Sequence, residues 1–370
     1  MSTPQNIADL AQAGTSVWLD DLSRDRLNTG NVEELITSKG VVGVTTNPAI
    51  FAKAMSQGTA YDEQLSELAS KKSPADSAVF EMAAEDVRRA CDVFADVYES
   101  TGGKDGRVSL EVDPRLANDR EATVQQAKEL FHSVGRANLM IKIPATEECL
   151  PAITEVLSEG IGVNVTLIFS VARYRQVMDA FIAGVKEAQA KGNDLTSIHS
   201  VASFFVSRVD SEIDKRLDSI GTDEARSLKG KAGIANARLA YEAFQESLVN
   251  NPEWVELAQA GANIQRPLWA STSVKNPDYP DTMYVTELAG PDTVNTMPED
   301  TLDATIDHGE SKGSAVTDSV AEARQLFADL DKVGVDLASV WEVLEREGVE
   351  KFVDSWGDLL ATLTTQLEAQ

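Results

Sequence analysis

The chain has 370 residues, and its 60 Asp plus Glu against 33 Lys plus Arg give a formal net charge of −27. At about 150 residues per domain the length suggests two or three domains, although α/β barrels run longer as one unit. So acidic a chain repels phosphate backbones and anionic lipid, which argues against nucleic-acid or membrane-surface binding as its main task; an anionic substrate would need a local basic site.

The first residues, up to Gly14, are polar and lack an apolar h-region, so no signal peptide is expected. An N-terminal helix is read at 7–13, within the segment 1–14. Short apolar runs follow, rich in Val, Ile and Leu, at 16–20, 41–45, 108–112, 139–143, 162–168, 199–205, 267–271 and 293–297. Amphipathic stretches with helical spacing lie between them, at 51–71, 76–99, 120–133, 146–158, 171–191, 206–218 and 230–250. Residues 314–370 read as two or three terminal helices. Strands that alternate with helices imply βα units around a parallel sheet. Eight units point to a (β/α)8 TIM barrel, which needs about 250 residues. Residues 1–370 are therefore read as one barrel domain with added N- and C-terminal helices; an open doubly wound sheet is the runner-up.

Two cysteines without a CxxC motif, Cys91 and Cys149, fit a reducing cytoplasm better than a disulfide framework. No apolar run reaches the length of a membrane span. The sequon Asn164-Val165-Thr166 lies in a strand-like run and is read as accidental. Gly160-Ile161-Gly162 begins like a dinucleotide fingerprint, but Val165 stands where the third glycine is required. The histidines, His132, His199 and His308, are scattered and show no metal-ligand spacing.

Strands covered on both faces should be continuously apolar, so polar exceptions are informative. Lys142 interrupts Leu139-Met140-Ile141-Lys142-Ile143-Pro144. It is either a lysine desolvated for Schiff-base chemistry or a snorkelling lysine on an edge strand. Similar exceptions end the other strands: Asp20 and Asp21, Asn47, Glu111 and Asp113, Asn164 with Thr166, Ser203, and Ser271. Singly, each has an ordinary explanation as a helix cap or turn residue. In a barrel these ends converge on one mouth. A lysine, carboxylates, amides and hydroxyls gathered there suit carbonyl chemistry, with the carboxylates shuttling protons. For an anion, Arg208 at the start of the sixth helix is a candidate phosphate contact, the alternative being an ion pair with Asp210 or Glu212. The segment Ser271-Thr272-Ser273-Val274-Lys275-Asn276 is placed to close around the same anion.

Four motifs, Thr45-Thr46-Asn47-Pro48, Ile141-Lys142-Ile143-Pro144-Ala145-Thr146, the run from Gly160 to Ser170, and Ala202-Ser203-Phe204-Phe205-Val206-Ser207-Arg208, together resemble the transaldolase family. The likeness extends from about Trp18 to Pro298. It implies a class I, Schiff-base aldolase barrel. Such an enzyme carries a dihydroxyacetone unit from sedoheptulose 7-phosphate to glyceraldehyde 3-phosphate, giving erythrose 4-phosphate and fructose 6-phosphate in the non-oxidative pentose phosphate pathway. By motif, Lys142 matches the Schiff-base lysine, Asp20 the carboxylate that takes the C4 hydroxyl proton, and Glu111 the acid/base acting through a water held by Thr166. Asn47 and Asn164 match the amides that hold the dihydroxyacetone hydroxyls. Ser203 lines the site, and Arg208 binds phosphate. Many members carry a second phosphate arginine after the strand-seven Ala-Ser; here Ala270-Ser271 leads first to Lys275, which is expected to take that place. Smaller relatives that release free dihydroxyacetone use a tyrosine for the water, so Glu111 favours transfer. No cofactor or metal is implied. The partners expected are sugar phosphates, not nucleic acid or membrane, and a homodimer is the candidate assembly. One helix of 314–370 is expected near the barrel mouth.

Overall fold

A computed structural model describes residues 3–369; the parts of the expected terminal segments that fall on residues 1, 2 and 370 lie outside the described residues. Eight strands form a closed parallel barrel in chain order: β1 (Thr15–Leu19), β2 (Gly43–Val44), β3 (Arg107–Glu111), β4 (Leu139–Pro144), β5 (Val163–Ile168), β6 (Ser200–Phe205), β7 (Arg266–Ala270) and β8 (Thr293–Met297). β1 pairs with β8 from Thr15↔Thr293 to Leu19↔Met297, and this closure leaves no sheet edge. The open-sheet alternative is thereby excluded, and so is the edge-strand reading of Lys142.

Each strand boundary lies within two residues of its expected position. β2 shrinks to two residues. A Cβ on Gly43 would sit 2.6 Å from the Trp18 indole, so only glycine lets this strand pass the large side chain inside the barrel. Four expected helices are revised. Residues 51–71 form two, Pro48–Met55 and Asp62–Ser70. Residues 76–99 divide at Phe94, whose ψ of 2° leaves the helical range, into Ala75–Val93 and Ala95–Ser100. The helix expected at 146 begins at Leu150, and that expected over 230–250 covers Ala232–Phe244 before a π turn at Gln245–Val249. The N-terminal helix is Gln5–Ala13, and the C-terminal extension holds helices Val320–Lys332 and Leu337–Ala369. At 1.5 Å per residue the last of these is about 50 Å long.

Two apolar clusters organise the packing. One lies between the outer face of the sheet and the surrounding helices. The other fills the barrel with Trp18, Met140, Val201, Leu268 and Val294, and continues through Phe169 and Phe205 to Leu344 and Phe352 of the C-terminal helix. That helix touches Pro48–Met55 after β2 and Ser207–Ile220 after β6, so it spans the barrel's C-terminal side as expected. Both cysteines are free and buried, and Asn164 of the sequon is fully buried. Among the described residues no helix is long and apolar enough to cross a membrane.

Candidate active site

The strand register aligns the polar exceptions. Glu111 of β3 lies beside Lys142 of β4, and Lys142 beside Asn164 of β5. Parallel neighbours in register point to the same side, so three polar side chains share one row of the barrel interior. Lys142 is buried, at 5% exposure, and its Nζ donates to the Thr46 carbonyl at 3.0 Å. The same Nζ is 3.3 Å from Glu111 Oε2. Burial pushes the Glu111 carboxyl up to about 7, with the Lys142 charge pulling the other way and Asp20 adding to the rise.

Asp20 follows β1 at the cavity wall. Its Oδ1 accepts a 2.7 Å hydrogen bond from Thr45, whose hydroxyl is also 2.6 Å from that of Thr296. Enclosure by protein raises its pKa above the ordinary carboxylate value, and Lys142 and the Thr45 bond oppose the rise. Asp21, next in sequence, points elsewhere and pairs with Arg26 at 2.7 Å. Asp113 likewise leaves the row to cap the turn Pro114–Leu116 through the Arg115 amide.

The amides are fixed by their neighbours. Asn164 Oδ1 accepts from the Ser203 hydroxyl at 2.7 Å, and its Nδ2 donates to Ser109 Oγ at 3.0 Å. Asn47 caps the helix Pro48–Met55, its Oδ1 accepting from the Ile50 amide at 3.1 Å, so its Nδ2 remains to face the cavity. Thr166 Oγ1 is buried without a hydrogen-bond partner in the protein, and Glu111 Oε2 meets only the Lys142 charge at 3.3 Å. β5 is irregular here, with a register shift between Val165 and Ile168 and Leu167 at φ 59°. Ser271, just past β7, also has left-handed backbone (φ 54°), and its hydroxyl lies 2.9 Å from that of Ser207. Backbone strain of this kind gathers at functional sites.

Arg208 sits in the first turn of the helix Ser207–Ile220. Its guanidinium lies 5.0 Å from the centre of the Phe205 ring and 6.0 Å from that of Phe352. The ion pairs considered from sequence do not form: Asp210 accepts from Tyr284 and the Gly233 amide, and Glu212 pairs with Arg216 at 2.7 Å. The arginine fork is left facing the cavity. Lys275 stands at the exposed rim, its Nζ donating to Ser273 Oγ at 2.6 Å.

Asp20, Asn47, Lys142, Ser203, Arg208, Ser271 and Lys275 all line one cavity of about 230 Å³, with Glu111, Asn164 and Thr166 in the wall behind it. Residues not singled out from sequence join them, chiefly Thr45, Phe205, Thr296 and Phe352. Thr45 and Phe205 lay inside quoted motifs, but threonine and phenylalanine are ordinary strand residues. A larger cavity, about 600 Å³, lies beside the C-terminal helix; it pairs Arg173 with Glu345 at 3.4 Å and Arg346 with Glu350 at 3.6 Å, and it holds no lysine. Among the described residues no group of three or more His, Cys, Asp and Glu is placed to hold a metal ion.

A buried lysine beside a carboxyl that titrates near neutrality, with a second carboxyl and a free guanidinium opposite, is equipped for imine formation on a phosphorylated carbonyl compound. Comparisons with known proteins agree. Residues 17–363 match the model of the transaldolase/fructose-6-phosphate aldolase family. The chain is 59% identical over 362 residues to a transaldolase of Mycolicibacterium paratuberculosis, covering 98% of this chain and 97% of the relative. Against the transaldolases of Mycobacterium ulcerans and Mycolicibacterium smegmatis it is 58% and 57% identical, covering all of this chain and 99% of each relative. The chain belongs to the transaldolase/fructose-6-phosphate aldolase family.

Proposed function

We propose that this chain is a transaldolase, a transferase of the non-oxidative pentose phosphate pathway that works through a Schiff base on Lys142. The observation that carries the residue assignment is the 3.3 Å approach of the buried Lys142 Nζ to Glu111 in the wall of the cavity that Lys142, Asp20 and Arg208 line. In this reading Glu111, titrating near 7, takes a proton from the Lys142 ammonium, and the amine attacks C2 of the ketose phosphate. The carbinolamine hydroxyl leaves as water with a proton from Glu111, relayed by a water between Glu111 Oε2 and Thr166 Oγ1. The iminium then draws electrons from C3–C4. Asp20 takes the C4 hydroxyl proton, the bond breaks, and the aldose phosphate departs. A three-carbon enamine stays on Lys142, its hydroxyls held by Asn47 and Asn164.

When an acceptor aldose phosphate arrives, enamine C3 attacks its aldehyde carbon and Asp20 returns the proton to the new hydroxyl. Water then hydrolyses the imine and frees the product. Arg208 binds the phosphate through its planar fork, and Lys275 supplies a second, more flexible cation from the rim. The barrel and the C-terminal helix act as one unit, because Phe352 of that helix lines the same cavity. A cytoplasmic location is part of the proposal and is supported by the two free cysteines.

Product analysis separates transfer from simple cleavage. Fructose 6-phosphate with erythrose 4-phosphate should give sedoheptulose 7-phosphate and glyceraldehyde 3-phosphate, with little free dihydroxyacetone. Equal release of dihydroxyacetone with and without erythrose 4-phosphate would make the chain an aldolase instead.

A further inference from the structure

The buried residues of the C-terminal helix form one stripe: Val340, Leu344, Gly348, Phe352, Trp356, Leu359 and Leu363. Steps of three and four keep such positions on one face. Two of them anchor the helix. At Gly348 a Cβ would lie 3.2 Å from Leu167 and Phe169, so the bare helix backbone seats directly against the end of β5. One turn beyond Phe352, the Trp356 ring packs 4.9 Å from that of Phe80. Phe352 lies between these anchors, 6% exposed, with its ring centre 5.6 Å from Lys142 Nζ and 6.0 Å from Arg208 Cζ. Seated between anchors in this way, the ring has little room to leave the lysine.

We propose that Phe352 is a water-excluding gate over the Lys142 adduct and sets the partition of the three-carbon intermediate between transfer and loss. The inference rests on the Schiff-base reading of Lys142. Loss needs two events. The enamine C3 must take a proton, which gives the dihydroxyacetone iminium. Water must then add to C2, and the C2–N bond must break to release dihydroxyacetone and the free Lys142 amine. Transfer needs instead an aldehyde at C3. An apolar ring over the nitrogen occupies space from which water would reach C2. Its π face also favours a cationic nitrogen on Lys142 without offering a proton. Excluding water protects reactive intermediates from hydrolysis in closed sites.

Both fates start from the same covalent enamine. Their ratio therefore does not depend on the fraction of folded enzyme, on the reactivity of Lys142 or on donor KM, and saturating erythrose 4-phosphate removes the effect of any change in acceptor binding at the neighbouring Arg208. The test incubates full-length wild type, Phe352→Leu and Phe352→Ala with fructose 6-phosphate and saturating erythrose 4-phosphate, and measures free dihydroxyacetone against sedoheptulose 7-phosphate. We expect the ratio to rise roughly tenfold in Phe352→Ala and less in Phe352→Leu, which keeps most of the volume. Leu363→Ala, which thins the same buried stripe away from the cavity, should keep the wild-type ratio. If Phe352→Ala does not fold, Phe352→Leu decides. A wild type that forms no sedoheptulose 7-phosphate refutes the proposed function. A wild type that transfers, with variants whose ratio is unchanged or lower, overturns the gate alone.

Discussion

Glu111 is the residue on which the proposed proton traffic turns. Its carboxyl is driven up to about 7 because burial penalises the anion more than the adjacent Lys142 favours it. Below that value Glu111 is protonated and no longer takes the Lys142 proton. Hence kcat/KM should fall tenfold per pH unit on the acid side of about 7 and level off above it. Glu111→Gln should remove this inflection and lower kcat by about 10² to 10⁴; an unchanged pH profile in the variant would assign the proton traffic elsewhere. A charge inside a run that must be apolar is costly, which marked Lys142 and offered Asp20 with Asp21 and Glu111 with Asp113; the family resemblance chose within each pair, and Asp21 and Asp113 are engaged elsewhere in the structure. Arg208 was readable as a cation near a helix start, but only its stacking on Phe205 and Phe352, in place of an ion pair, singles it out. Thr45 and Phe352 gave no such signal, since neither residue type conflicts with its local pattern.

Among the elements, the two ends of the barrel strands do different work. At the mouth the polar groups border a cavity; at the opposite end most are satisfied by one another, with Arg107 Nη2 and Gln265 Oε1 left without a partner. Arg266 of β7 donates to Asp105 at 2.9 Å, to Ser16 at 2.8 Å and to the Lys104 carbonyl at 2.6 Å, while Asp105 also accepts from Trp18 at 3.0 Å. Nearby His199 is pushed down to about 3 by burial and by Arg107 and Arg266, so it stays neutral. Arg266→Met should leave Asp105 buried without its cation and cost about 3–5 kcal/mol, read as a lower denaturant midpoint. The products and pH profile of the folded variant should not change, and a changed pH profile would show that this end of the barrel reaches the site. Strands were legible because a two-sided burial pattern and its C-terminal polar ends are local signals. The helix breaks at Phe94 and at 56–61 were not, because packing rather than sequence period places them. The C-terminal helix was legible as a helix, but its course over the mouth depends on the contact of Gly348 with Leu167 and Phe169, far away in sequence.

On the scale of the whole molecule, the net charge of −27 and the anion site oppose each other. Most carboxylates lie on solvated helix faces, many of them in ion pairs such as Lys71–Glu67 and Lys351–Glu347, which add little to stability. The cationic exception is local: Lys142, Arg208 and Lys275 around one cavity. A negative field slows the approach of sugar phosphates until salt shortens its range to about 10 Å at 0.1 M. Raising sodium chloride from a few millimolar towards 0.1 M should therefore increase kcat/KM, and a steady fall from the lowest salt would mean that attraction at the mouth outweighs the global charge. The length, which first suggested several domains, is taken up by one closed barrel and its flanking helices.

The central claim is that the three-carbon unit is carried on Lys142. Borohydride reduction in the presence of fructose 6-phosphate should fix a dihydroxyacetone-derived adduct on the peptide containing Lys142, detected by its mass, and Lys142→Ala should abolish it. An adduct that survives in Lys142→Ala, or no adduct in a wild type that transfers, would contradict the account.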